Sequence, residues 1–365
     1  MKNVAVFFGG VSVEHDVSII TGAICVNCID KTKYNAIPIF VDNDGKWYTG
    51  ERLNDIDYFK SLNVKKLKRV TLLPKSNILY RVKGKRLKEL CNIAVAVNCM
   101  HGERGEDGSL AGFLNMCDVA FASPSILSSS VCMDKCFTKT VMKGLGVNVL
   151  PSVTICSSTE KEKEIENLGF PLVVKPACLG SSIAVSRADN QEELEIAINQ
   201  AFKFGEKVIV EKCLENFTEI NCAVYQNSRQ EIVVSECEQP KGSSQVLSFE
   251  DKYLSGERVF PAQIDKKLSN RIKKISKKVY QELFCEGVIR IDYMLKDGKV
   301  YLNEVNTVPG SLSYYLFGDT LASFSTMLNE LLAQAEIRYS RLSSVQKSFK
   351  TSILASAGSK GVKRL

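Results

Sequence analysis

The chain has 365 residues, 45% hydrophobic and 24% charged, ordinary proportions for a globular protein with room for two or three domains. Its net charge of +7 comes largely from two local clusters (Lys65, Lys66, Lys68, Arg69; Arg81, Lys83, Lys85, Arg86, Lys88). With one tryptophan and no basic–aromatic repeat, they read as solvated faces, so no nucleic-acid partner is expected. No apolar run is long enough to span a membrane, and 13 cysteines without a signal peptide predict reduced thiols in a cytoplasmic protein.

Residues 4–8, "VAVFF", predict a short buried strand ending in Gly9-Gly10, then an amphipathic helix to about residue 29. The helix carries Cys25 and Cys28, but only two histidines exist to complete a zinc site, so none is expected. The stretch "FGGVSVEHDVSI" (8–19) lacks the G-x-G-x-x-G fingerprint of a dinucleotide site. What remains is a helix mouth for an anion or an amine, holding Glu14 and His15.

"NAIPIFVD" and "GKWYTG" read as further strands, and "NIAVAVNCMHG" as an apolar strand of parallel-sheet type. The helix "EDGSLAGFLNMC" and the strand "VAFASP" follow. This alternation predicts an open parallel α/β domain with ligand loops at its strand ends. His101, in "MHGERGEDGSLAG" (100–112), ends one such strand. Two glycine–acid loops on one sheet suggest a shared pocket, although a structural histidine fits the pattern equally well.

From "SILSSSVCMDKCFTKTVMKGLG" the grammar changes to one Ser-capped helix followed by the strand "VLPSVTI". "FPLVVKPACLGSSIAVSRA" reads as two β runs joined by a Gly-Ser loop. That loop is either a plain hairpin turn or a phosphate cradle of backbone N–H groups at Gly180, Ser181 and Ser182, with Lys175 as counter-charge. A helix at about 191–204 and the strand "KVIVEKCL" follow, the latter ending in Glu211 and Lys212. Such a strand edge reads adenine in some nucleotide sites, with an acid such as Glu219 on the ribose; ordinary surface charge is the alternative. Then come the strands "TEINCAVY" and "EIVVSECE", a polar loop at 240–258, a basic amphipathic helix at 265–285, and a terminal helix at about 319–337. The Ser-rich basic tail beyond 340 is expected to pack loosely.

The segment 289–310, "IRIDYMLKDGKVYLNEVNTVPG", is a hairpin with polar residues in its alternating pattern. Arg290 and Asp292 share one face, as do Glu304 and Asn306. A two-residue Asp297-Gly298 loop pairs Lys296 with Lys299 and sets the two acids on opposite faces. A three-residue loop, Lys296–Gly298, pairs Leu295 with Lys299 and brings all four together. We expect the three-residue loop, because two carboxylates and an amide on one surface suit magnesium. Arg290 beside them suits a phosphate or a developing oxyanion. A solvated edge hairpin is the alternative.

In this order, "GGVSVEHDVS", "HGERGEDGSLAG", "MDK", "VVKPACLGSS", "DKYLS" and "RIDYMLKDGKVYLNEVNTVPG" resemble the D-alanine–D-alanine ligase family of ATP-grasp enzymes, from about residue 4 to residue 335. The resemblance implies an α/β N-terminal substrate domain at 1–123, a central ATP-grasp lobe at 124–210, a C-terminal lobe at 211–340 and a tail at 341–365. It implies that Lys135, Lys175 and Ser182 contact the ATP phosphates, and that Glu211, Lys212, Leu214 and Glu219 line adenine and ribose. Asp292, Glu304 and Asn306 would hold two Mg²⁺ ions, with Mn²⁺ as a substitute. Arg290 and the Gly310 N–H would stabilise the tetrahedral oxyanion. Glu14 would bind the first substrate's ammonium near His101, and a contact among Glu14, Ser181 and Tyr253 would close a lid. Lys252, Ser311 and Tyr315 fall in the substrate region.

The implied reaction passes the γ-phosphate to one D-alanine carboxylate and lets a second D-alanine amine attack the acyl phosphate, giving D-alanyl-D-alanine for peptidoglycan. A homodimer is usual in the family. The Lys252-Tyr253 pair implies an amine nucleophile and not a hydroxy acid. Two departures stand out. "SLSYYLF" sets Tyr314 and Tyr315 where a small serine commonly binds the second substrate, and Ala184 replaces a usual glycine. The alternatives are the same chemistry with another acceptor, such as D-serine, or a nucleotide-binding regulator without ligase activity; a Rossmann oxidoreductase fails on the missing fingerprint.

Overall fold

The computed structural model describes residues 1–156, 161–241 and 258–351. Lys252, Tyr253 and the end of the basic tail lie outside the described residues. An eight-stranded sheet opens the chain, in the order β6-β5-β4-β3-β2-β1-β7-β8. Its strands are β1 (Lys2–Gly9), β2 (Tyr34–Val41), β3 (Trp47–Thr49), β4 (Lys68–Leu73), β5 (Ser76–Lys83), β6 (Arg86–Asn92), β7 (Val95–Asn98) and β8 (Ala120–Phe121).

The half made of β2, β1, β7 and β8 is parallel, as expected. The other half, β3 to β6, is antiparallel; β3 falls in the expected strand "GKWYTG", but its antiparallel pairing and β4 to β6 were not expected. Its β4–β5 and β5–β6 turns have two residues each, too short for the crossover that parallel pairing needs. Its strands carry the basic clusters, and all of β6 is exposed apart from a partly covered Cys91. An edge strand solvated in this way has no apolar run to betray it in the sequence, whereas β4 and β5 bury Val70, Leu72 and Leu79 on one face.

The predicted Ser-capped helix is in fact two. Ile126–Met133 is capped by Ser125, and Lys135–Gly144 by Asp134, whose Oδ1 accepts the N–H groups of Cys136 and Phe137 at 2.9 and 3.1 Å. A carboxylate that captures backbone donors ends one helix and starts the next. The break makes Lys135 the first residue of the second helix.

Two four-stranded antiparallel sheets follow. One has the order β11-β10-β12-β9, from β9 (Ser152–Cys156), β10 (Leu172–Pro176), β11 (Ser186–Ala188) and β12 (Lys207–Lys212). The helix Gln191–Ala201 covers it, with Leu194, Ala197 and Ala201 against Leu172, Val174, Val208 and Val210. The other has the order β14-β13-β17-β18, from β13 (Thr218–Gln226), β14 (Ile232–Val234), β17 (Val288–Lys296) and β18 (Lys299–Asn306). Between β14 and β17 in the chain, β15 (Gln239–Pro240) and β16 (Arg258–Val259) form a two-stranded pair. The helix Lys266–Glu282 seals the second sheet through Ile272, Val279 and Tyr280, each large aliphatic side chain contributing about 1.5–3 kcal/mol by leaving water.

The last helix runs six residues past its expected end, over Leu321–Ser343. It returns to the first sheet, where Phe324, Leu328, Leu331 and Leu332 share a core with Val4, Val6, Val95 and Val97.

The β17–β18 hairpin corrects the expected turn. Lys296 pairs with Lys299 across the two-residue loop Asp297-Gly298. Both loop residues have left-handed φ, 48° and 72°, the signature of a type I′ turn. The four polar residues nevertheless meet on one face, because Tyr293 pairs with Leu302 whereas Asp292 pairs with Glu304. Asn303 is the extra residue of a β-bulge. One inserted residue shifts the alternation and sets Arg290 opposite Asn306 and Asp292 opposite Glu304.

Candidate active site

A cleft of about 310 Å³ lies between the two four-stranded sheets. Val173, Leu150, Leu214, Phe217 and Met294 give it apolar walls, and Lys135, Lys175, Glu211 and Glu304 stand along it. An apolar slot ending in cations suits a planar base with a phosphate tail. Lys212 donates to the carbonyls of Gly169 and Phe170, 2.9 Å each, at the slot's edge. Glu219 pairs with Met294 in the β13–β17 ladder.

Lys175 leaves β10 on the same face as Glu211 of β12. Val173 is paired with Glu211 and Lys175 with Ile209, so the two are diagonal neighbours within reach of long side chains. Lys175 forms an ion pair with Glu211 Oε1, and Lys139 Nζ sits 2.6 Å from Oε2. Burial pushes the Glu211 carboxyl upward, but the two ammonium groups outweigh it and hold it down to about 2. Lys175 also lies 3.4 Å from the bulge residue Asn303. Lys135, at the helix start, donates to the Leu179 carbonyl at 2.7 Å and faces Glu304 at 3.7 Å.

Between β10 and β11, Ser181, Ser182 and Ala184 have left-handed φ of 54°, 57° and 56°. Ala184 therefore occupies a conformation that glycine adopts without cost. Ser181 Oγ donates to Glu14 Oε1. The other oxygen, Glu14 Oε2, is buried without a hydrogen-bond partner. A Cβ at Gly180 would approach it to 2.8 Å and one at Gly102 to 3.1 Å. An orphaned buried carboxylate oxygen walled by two glycines suits a small ammonium donor.

His101 is buried, and its Nε2 lies 2.9 Å from Thr21 Oγ1, which accepts the Ser311 N–H at 3.0 Å. Burial lowers the imidazole's affinity for a proton, favouring the neutral ring. Ser311, Leu312 and Ser313 all have φ near +50°, so the turn after Gly310 is held in a left-handed run that non-glycine residues disfavour.

Arg290 grips Asp292 in a two-pronged pair, Nε–Oδ1 2.7 Å and Nη2–Oδ2 2.8 Å. Burial opposes the guanidinium charge, but the adjacent Asp292 more than compensates and holds Arg290 firmly protonated. Asn306 Nδ2 donates to Asp292 Oδ2 at 3.0 Å. Among the described residues there is no cluster of three His, Cys, Asp or Glu able to hold a metal. Both Asp292 oxygens are engaged by Arg290 and Asn306, with Glu304 paired opposite Asp292 in the hairpin register; two carboxylates and an amide are the oxygen donor types that a hard cation such as magnesium takes.

Of the paired tyrosines, Tyr314 stacks on Phe324 in the core, ring centroids 4.5 Å apart. Tyr315 instead turns to the site, where burial raises its phenol pKa against the opposing charge of Arg290, and lies under the Arg258 guanidinium at 4.4 Å.

Lys139, Asn303, Glu106 and Arg258 escaped the sequence reading. Lys139 carried a usable signal, since it follows Lys135 by four residues and shares its helix face; the bulge that presents Asn303 had none. Glu106 accepts the N–H groups of Gly102 and Val308, 2.9 Å each, strapping the β7 loop to the end of the hairpin. Burial, reinforced by the charges of Glu14 and Glu304, pushes Glu106 up to about 8. An acid whose folded pKa is raised binds a proton more tightly folded than unfolded. Its contribution is complete below the unfolded pKa of roughly 4.3 and is lost as pH rises to about 8. Melting temperature measured across that window should fall with pH in the wild type, and the slope should flatten in Glu106→Gln.

Two antiparallel sheets closing on a cleft with lysines on one wall and a bulged acid–amide hairpin on the other define an ATP-grasp enzyme. Residues 3–124 match the family model described as D-ala D-ala ligase N-terminus, and residues 141–334 the one described as D-ala D-ala ligase C-terminus. The chain is 39% identical to the D-alanine--D-alanine ligase of Thermosipho africanus over 365 residues, covering 92% of this chain and 93% of that one. It is 37% identical to the enzyme of that name from Thermosipho melanesiensis, with 91% and 93% covered. Among solved structures, the VanG D-Ala:D-Ser ligase of Enterococcus faecalis superposes with a TM-score of 0.79 at 31% identity, covering 92% of this chain and 99% of that one. The chain belongs to the D-alanine–D-alanine ligase family. No helix among the described residues is long and apolar enough to cross a membrane.

Proposed function

We propose that this enzyme uses ATP to join two D-alanine molecules into D-alanyl-D-alanine for peptidoglycan synthesis. The observation that carries the reading is the bulged register that sets Arg290, Asp292, Glu304 and Asn306 on one face of the hairpin, with Glu304 3.7 Å from Lys135 and the bulge residue Asn303 3.4 Å from Lys175 across the cleft. Phosphoryl transfer needs neutralised charge and in-line placement, with no covalent group from the protein. Lys135, Lys175 and the Ser181–Ser182 loop would hold the phosphate tail. Glu211, Lys212, Leu214 and Glu219 would line the base and ribose.

Glu14, with its unpartnered oxygen, would take the first D-alanine's ammonium, and neutral His101 would sit nearby without adding charge. Asp292, Glu304 and Asn306 would hold two Mg²⁺ ions, which supply charge neutralisation of the transferring phosphoryl group. Arg290 and the Gly310 N–H would face the oxyanion formed when the second amine attacks the acyl phosphate. Lys252, Ser311 and Tyr315 would shape the second substrate's pocket, and Tyr253 would close with Glu14 and Ser181. The domain division at 1–123, 124–210 and 211–340 belongs to this proposal, with Leu321–Ser343 packing back on the first sheet. So do a cytoplasmic setting, supported by thirteen free cysteines, and a homodimer, supported by the family resemblance.

Phosphate release with Mg-ATP and D-alanine, with products identified by mass, tests the reading. A dipeptide mass is the expected result. Turnover with D-serine and none with D-alanine would transfer the enzyme to the sister specificity, in keeping with Tyr315 in the acceptor region. Silence with every acceptor despite ATP binding would overturn ligation.

A further inference from the structure

We infer that Lys139 is a positioning residue for nucleotide binding, holding Glu211 so that Lys175 is released to the phosphates. The inference rests on the ATP site proposed above.

Lys175 and Glu211 line the cleft, whereas Lys139 stands behind Glu211 and away from the cleft wall. The side chains of Lys139, Glu211 and Lys175 are 3%, 2% and 8% exposed. One buried carboxylate is therefore shared by two ammonium groups, and the trio carries a net charge of one plus.

An incoming phosphate tail competes with Glu211 for Lys175. Without a second cation, the departure of Lys175 would strand a buried carboxylate, which is strongly unfavourable. Lys139 removes that obstacle. It stays 2.6 Å from Glu211 Oε2 and donates to the Leu150 carbonyl at 3.4 Å, so the ion pair left behind is neutral. Helix geometry makes this division of labour available. Lys135 and Lys139, one turn apart on one face, put the first lysine at the cleft and the second beneath it.

The bland reading is that Lys139 merely fastens its helix to the sheet. The two readings separate on what else changes. In Lys139→Met, Glu211 keeps Lys175 as its partner, so binding of ATP should weaken about 10- to 100-fold. Adenosine, which has no phosphate to call on Lys175, should change less than about threefold. Lys139→Arg, which keeps the charge, should restore most of the ATP affinity.

The deciding measurement is a double-mutant cycle, with ATP and adenosine titrated calorimetrically against wild type, Lys139→Met, Glu211→Gln and the double variant, and folding followed by melting temperature. With Glu211 uncharged there is nothing for Lys139 to hold. The double variant should then bind ATP within about threefold of Glu211→Gln alone. Equal losses for ATP and adenosine, or a tenfold loss on adding Lys139→Met to Glu211→Gln, would overturn the inference. Glu211→Gln strands two buried ammonium groups, and Lys139→Met in that background removes one of them, so the double variant should melt no lower than Glu211→Gln and the comparison stands even where Lys139→Met alone does not fold. Wild-type protein that binds ATP and follows the cycle but forms no dipeptide would sink ligation and leave this role intact. Wild-type protein that binds no nucleotide would sink both.

Discussion

Arg290→Ala should lower kcat by about 10²- to 10³-fold, the range for removing one preorganised donor at a developing oxyanion. It should also destabilise the fold, which separates this site from an ordinary surface cation. Asp292 is 1% exposed and takes both prongs of the guanidinium. Deleting Arg290 leaves that carboxylate buried with the Asn306 amide as its remaining side-chain donor among the described residues. Breaking a buried pair from one side costs about 3–5 kcal/mol, read as a lower midpoint in urea. Arg290→Met with Asp292→Asn removes both charges and should recover much of the stability while turnover stays at or below that of Arg290→Ala. Arg290→Lys should recover little activity, because an ammonium cannot reproduce the planar two-pronged contact. Near-normal kcat in Arg290→Ala would remove this residue from the chemistry.

The second large effect should follow Glu304→Gln, with turnover reduced by about a thousandfold or more. Charge stabilisation at a metal-assisted centre is worth several kcal/mol, and each 1.36 kcal/mol is a factor of ten in rate. Unlike Arg290, Glu304 is a fifth exposed and lies 3.7 Å from Lys135, so its neutral isostere should leave the melting temperature within a few degrees. Raising Mg²⁺ should recover part of the activity where Glu304 holds the ion. Activity close to wild type at low Mg²⁺ would exclude it as a ligand. A stable fold with lost turnover at Glu304, and a destabilised fold with lost turnover at Arg290, together distinguish an exposed metal acid from a buried oxyanion clamp on the same hairpin.

Much of this was legible in the chain because local chemistry determined it. The strands "VAVFF" and "NIAVAVN" are apolar throughout, as strands covered on both faces must be, and β1 and β7 are found there. The short glycine–serine link in "VVKPACLGSS" predicted two joined β runs, and β10 pairs with β11. The ordered motifs grouped Lys135, Lys175, Arg290, Asp292, Glu304 and Asn306 around one centre; Lys135, Lys175 and Glu304 line one cleft, and the hairpin register puts the other three on the face of Glu304. The strand "GKWYTG" is β3, but β4 to β6 were missed; β6 is exposed almost throughout and so lacks the apolar contrast on which a periodicity reading depends.

Tertiary structure decided the rest. The hairpin turn follows its local Asp-Gly signal and closes with two residues, which alone would have split the acids between faces. The extra residue at Asn303 corrects the parity, and a bulge depends on how two strands pack and not on either strand's composition. Likewise Tyr314 and Tyr315 are adjacent and identical in type, yet one stacks in the core and the other meets Arg290. Lys139 and Lys175, distant in sequence, acquire their relation only through a carboxylate buried between a helix and a sheet. Residue type and spacing determined what the side chains of this protein can do; burial and register decided which of them act together, because charge interactions gain force only where packing excludes water.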